Sequence, residues 1–148
     1  MRRLLLTWTC LGVLIGGIGC DPEASTLSPQ GRSPGYDITV LDQGGSAIAR
    51  GWITWESDED QALTGQWAFS ADERENLNNP FPGQGDLAGE RIGDSLWVDL
   101  HPGWADNNIF LYGKVAGDSL NGNWIWTGFP GIIDQGRFKG HVTTTIGD

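Results

Sequence analysis

The stretch Leu87-Ala88-Gly89-Glu90-Arg91-Ile92-Gly93-Asp94-Ser95-Leu96 returns as Leu111-Tyr112-Gly113-Lys114-Val115-Ala116-Gly117-Asp118-Ser119-Leu120. The shared pattern is Leu-x-Gly-x-x-x-Gly-Asp-Ser-Leu, and Leu63-Thr64-Gly65 opens a further copy one period upstream. Gly-Asp between two short alternating runs is a hairpin signal, because glycine supplies the backbone twist that joins antiparallel strands in two residues. Each copy therefore reads as strand, tight turn, strand. Repeated in order, such units make a meander in which neighbours in sequence pair in space. Parallel pairing is excluded, since crossovers need a dozen or more residues.

Working outward, period-2 alternation bounded by turn residues gives eight strands. They are expected over 36–41, 46–56, 62–70, 86–92, 95–100, 108–116, 119–127 and 132–143. A long loop rich in Asn, Pro and Gly fills 71–85. Most strands have one apolar face. Leu63, Gly65, Trp67 and Phe69 share a side, as do Leu120, Gly122, Trp124 and Trp126. Leu96, Val98 and Leu100 form another apolar side, and so do Ile109, Leu111 and Val115. The expected fold is all-β, an eight-stranded antiparallel up-and-down meander closed into a small barrel, which removes exposed sheet edges. A two-sheet β-sandwich is the alternative. Trp55, Trp67, Phe69, Trp124, Trp126 and Phe138 should point inward against glycines, either filling the barrel or lining a cavity.

The Leu-x-Gly-x-Trp strands, Leu63 to Trp67 and Leu120 to Trp124, resemble those of the calycin group of lipocalin-like and avidin-like small barrels. That resemblance implies the barrel fold and carries no binding residues with it.

The N-terminus has a different grammar. Met1-Arg2-Arg3 is basic, 4–18 is apolar, and Gly17-Ile18-Gly19-Cys20 ends the run before Asp21-Pro22-Glu23. The apolar run is short for a membrane span of about 20 residues. It resembles a bacterial signal peptide with a lipobox. The resemblance implies cleavage before Cys20, acylation of its thiol with palmitate-type chains, and export to a membrane-anchored site in the cell envelope; it does not say which membrane. The expected organisation is a signal peptide at 1–19, a lipid-anchored tether at 20–35 and a barrel domain at 36–148. The tether, rich in Pro, Ser and Gly, would reach roughly 20 Å. Cys10 and Cys20 are the two cysteines. Cleavage and acylation would leave the mature domain no thiol, so it must rely on its core.

Acidic residues dominate: Asp and Glu number 19 against 9 Lys and Arg, a net charge of −10. Loss of Arg2 and Arg3 takes the mature chain to about −12. Nucleic acid is a poor partner, because binding requires phosphate neutralisation.

Candidate chemistry is sparse. Gly-Asp-Ser-Leu, at 93–96 and 117–120, matches the motif that names a family of serine esterases. Two copies in hairpin turns, with His101 and His141 outside any Asp-x-x-His setting, read as turns and not as an enzyme. Glu56, Asp58, Glu59 and Asp60 crowd one loop without EF-hand spacing, so neither a metal site nor a cofactor is expected. Topology is more informative. Alternating strands send the tight turns to one end and the long loops to the other. The tether would join at the tight-turn end, and the long loops would face away from the membrane. Asn78, Asn79, Phe81, His101, Trp104, Asn107 and Phe129 are the expected recognition rim, unless they plug the barrel top. The expected function is an exported lipoprotein binding an apolar or carbohydrate ligand at that end. The alternative is an envelope protein–protein interaction or hydrolase-inhibitor module. Arg91 is expected to cap Trp55 by a cation–π contact. Trp97, Phe110 and Tyr112 should form an outward aromatic patch.

Overall fold

The structure is a computed structural model that describes residues 35–72, 79–104 and 106–143. It contains β1 (Gly35–Leu41), β2 (Ala47–Ser57), β3 (Ala62–Ala71), β4 (Gly83–Ile92), β5 (Ser95–Asp99), β6 (Asn108–Ala116), β7 (Ser119–Gly128) and β8 (Gly131–Val142). Every strand pairs antiparallel with its sequence neighbour, and the order β1 to β8 closes into a barrel. Closure runs from Tyr36 opposite Val142 to Leu41 opposite Arg137. The sandwich alternative is thereby excluded.

The repeat sets the tight-turn end. Ile92 pairs with Ser95 and Ala116 with Ser119, which leaves Gly93-Asp94 and Gly117-Asp118 as two-residue loops. Gly93 and Gly117 have φ of 62° and 58°, the left-handed conformation that a glycine at the first loop position adopts at no steric cost. Asp58 closes the third turn at this end, its Oδ1 accepting the backbone N–H of Asp60 and Ala62 at 3.0 and 2.9 Å. That carboxylate of the acidic loop shapes the turn.

The alternation in the sequence becomes an inside and an outside. Leu63, Trp67, Leu96, Val98, Leu111, Leu120 and Trp124 are all buried in one core. Inward aromatic residues meet glycine across the ladder. Trp67 lies opposite Gly85, Phe69 opposite both Gly51 and Gly83, and Trp55 opposite Gly65. Trp124 lies opposite Gly136 and Phe138 opposite Gly122. At Gly51, Gly85 and Gly136 the missing Cβ leaves the space that the rings of Phe69, Trp67 and Trp124 occupy. Two indoles also find polar partners. Trp67 Nε1 donates to the Leu100 carbonyl at 2.7 Å, and Trp124 Nε1 to the Leu41 carbonyl at 2.8 Å. A buried N–H left unpaired would cost a few kcal/mol, so these bonds let tryptophan fill the barrel.

Two features differ from expectation. β4 begins at Gly83, three residues earlier than the alternation indicates, because Gly83-Gln84-Gly85 carries no apolar period. Arg91 does not cap Trp55. Trp55 stacks on Tyr36, with centroids 5.0 Å apart and planes 10° apart, while Arg91 Nε donates to the Gly93 carbonyl. The tight hairpin offers Arg91 a carbonyl two residues away.

A Cβ at Gly65 would collide with the Thr54 carbonyl oxygen and stand 2.7 Å from Trp55 Cα. Gly65→Ala should therefore cost about 1–3 kcal/mol in urea unfolding, the range of overpacking changes. Unchanged stability would mean the strands are not this close.

Candidate functional site

The long-loop end is where the sequence places recognition. Phe81 stands between Pro80 and Pro82 and is 0% exposed. Its ring meets Phe69 and Trp124 edge-on, at 5.5 and 5.1 Å. Asn79 fixes it there. The Asn79 amide donates to the Ile48 carbonyl at 2.6 Å, and its Oδ1 accepts the Phe81 N–H at 3.1 Å. The structure thus places Phe81 and Asn79 in a stopper, not on an open rim. Prolines on both sides direct the loop inward without marking that in any periodicity. Asn78 and Cys20 lie outside the described residues.

The loop between β5 and β6 is also internally tied. Asp99 Oδ1 accepts the His101 N–H at 2.8 Å, and Oδ2 accepts the buried Asn108 amide at 3.1 Å. Asn107, at φ 66°, accepts the Trp126 indole N–H at 2.6 Å. His101 is half-buried, its ring edge-on to Trp67 at 5.3 Å. Burial holds its imidazole below the ordinary value of 6.5, with the Asp99 charge pulling the other way.

Several large apolar side chains stand exposed at this end, beside the exposed Asp106 and Asn107. Trp104 is 69% exposed and Phe129 94% exposed. Phe129 and Pro130 form the tip between β7 and β8, and Ile132 and Ile133 just beyond them are exposed as well. Of the expected rim, the structure leaves Trp104 and Phe129 for contact, and adds Ile132 and Ile133. Strand 8 starts at these isoleucines in the sequence reading, which treats them as strand positions and hides their exposure.

One arrangement is invisible in the sequence. Ser119 pairs across strands with His141, which pairs in turn with Asp37. Ser119 Oγ lies 3.4 Å from His141 Nδ1. A Ser-His-Asp nucleophile needs one imidazole nitrogen for the serine and the other for the carboxylate, inside a site that excludes water. Here Ser119 and His141 sit on the open outer wall, where solvent competes for both groups. The register that creates this row cannot be read from spacing.

One row of the outer wall near the tight-turn end is polar. Thr39, Lys139, Asn121 and Lys114 follow one another along it. The expected aromatic patch is present: Trp97 and Phe110 stack at 5.8 Å and 18°, and Tyr112 tilts against Phe110 at 6.4 Å. No protein-family model matches this chain, and no curated protein matches it either.

Two measurements separate stopper from rim. Phe81→Ala should cost about 3–5 kcal/mol of stability, as large-to-small core changes do, whereas Trp104→Ala should stay within about 0.5 kcal/mol. Equal effects would contradict the assignment. His101 adds a pH signature. Its folded pKa is depressed, so the unfolded chain takes the proton first. Its contribution is full above 6.5 and is lost as pH falls from there through the folded value. The melting temperature should drop more between pH 7.5 and 5.5 in the parent than in His101→Asn; equal drops would remove this role.

Proposed function

We propose that this chain is an exported lipoprotein, anchored through Cys20, whose barrel is an interaction module for another envelope protein. The observation that carries the reading is the hairpin tip, where Phe129 is 94% exposed with Ile132 and Ile133 beside it. Large apolar side chains clustered in solvent lose free energy unless a partner covers them, and such clusters mark contact sites. The filled core and the Phe81 stopper favour an external protein partner over an apolar or sugar ligand held inside the barrel mouth.

The lipobox-like N-terminus supplies the orientation. The tether leads into β1, whose first residue Gly35 pairs with Thr54 near the tight-turn end. Phe129 lies at the opposite end, so the anchor holds the apolar tip away from the bilayer. Anchoring at the membrane also raises the local concentration of partners held at the same surface. No cofactor enters this reading, and it assigns no catalysis.

A photo-crosslinking residue placed at 129 in envelope preparations should yield one discrete protein adduct, absent when the same residue is placed at Lys139 on the outer wall. Equal adducts at both positions, or none at 129, would overturn the interaction reading. Cys20→Ser should abolish incorporation of labelled fatty acid and release the chain from the membrane fraction. Retention of either property would overturn the anchor. A fluorophosphonate probe should leave Ser119 unmodified; labelling there would return the chain to the enzymes.

A further inference from the structure

The outer wall of β4 to β7 holds a trough of about 580 Å³. Two rows of outward side chains bound it. One row runs Glu90, Trp97, Tyr112 and Asn123; the next runs Ile92, Ser95, Lys114 and Asn121. Its floor is main chain, from Leu96 to the cross-strand pair Gly113 and Gly122. Beneath the floor the Phe138 ring would lie 2.8 Å from a Cβ at Gly113, so that ring packs directly under it. Successive outward rows stand roughly 7 Å apart, twice the rise per strand residue. A ring placed between them would touch both walls at about 3.5 Å, the optimum for dispersion.

We propose that this trough binds a neutral oligosaccharide. Aromatic faces stack on the C–H face of a sugar ring, and Trp97 and Tyr112 supply them. Tyr112 is 42% exposed. The hydroxyls of a sugar both donate and accept, and the amides of Asn121 and Asn123 answer in both senses. Charge argues against an anion. Glu90 and Lys114 offset each other, and Lys114 Nζ already lies 3.4 Å from Asp94. The chain as a whole carries −10, which repels phosphate and polyanions. A peptide added as an extra strand is excluded, because the closed barrel has no free edge.

The site extends beyond one sugar. A second depression of about 530 Å³ abuts the first at Asn123 and is bounded by Gln43, Gln135 and Arg137. Asn123 therefore stands between two adjoining spaces along β7. Its amide is placed to contact two successive residues of one glycan, and the Gln135 amide repeats the donor–acceptor chemistry beyond it, while Gln43 Nε2 donates to Asp134 Oδ1 at 3.4 Å and leaves its carbonyl to accept. This inference is independent of the apolar tip, which lies at a different part of the surface.

The test is a titration of the full chain in detergent with cellohexaose, chitohexaose and maltohexaose, followed by tryptophan fluorescence. At least one hexasaccharide should bind saturably, about tenfold or more tighter than its monosaccharide. Asn123→Ala and Tyr112→Ala should each weaken it by about tenfold, with thermal unfolding unchanged, because both side chains are exposed. Phe129→Asp should bind like the parent. Failure of all three hexasaccharides to bind, or binding indifferent to Asn123→Ala and Tyr112→Ala, would overturn the proposal. Preferential binding of AMP in the same trough would overturn it too, by showing a site for anions.

Discussion

The structure rests on packing several of its large inward rings against glycines of neighbouring strands. Trp67 over Gly85, Trp124 over Gly136 and the Phe138 ring over Gly113 are cases of one constraint. Eight strands enclose only enough room for side chains. Bulky residues on every strand would overfill that space, and small ones would leave voids that cost stability. Alternating ring and glycine across neighbouring strands meets the volume requirement and keeps the strands at hydrogen-bonding distance. Each burial of a large apolar side chain contributes about 1.5–3 kcal/mol. The indole bonds to the Leu41 and Leu100 carbonyls remove the penalty that would otherwise accompany tryptophan.

This constraint decides where function can be. A barrel closed by its own side chains, and stopped by Phe81, offers its outside. The loops at one end then divide into parts that hold the stopper and parts that project. Asn79 belongs to the first group, its amide committed to the Ile48 carbonyl and the Phe81 N–H. Trp104 and Phe129 belong to the second. The outer wall is divided likewise: one row is polar and the next aromatic, and over Gly113 and Gly122 the two flank a groove.

Much of the fold was legible because hairpin chemistry and alternation are local. Gly93-Asp94 and Gly117-Asp118 mark two turns by residue type alone, and β6 follows directly between its flanking signals. What was not legible depends on contacts between distant segments. Phe81 carries no period, so its place between Phe69 and Trp124 follows only once the barrel exists. An asparagine that holds a loop has the same letter as one that holds a ligand. The trough depends on register, which sets Asn123 beside Tyr112 and Asn121 beside Lys114. The Ser119, His141 and Asp37 row has the same origin.

The central claim is that the interior is dry and filled, so that every contact with another molecule is made outside. Hydrogen exchange at the indole N–H groups of Trp67 and Trp124, followed by NMR, tests it most directly. Both donate to backbone carbonyls inside the barrel. They should exchange only through global unfolding, at a free energy that matches the urea value. Exchange orders of magnitude faster, while the β-ladder amides remain protected, would reveal water in the interior and contradict the account.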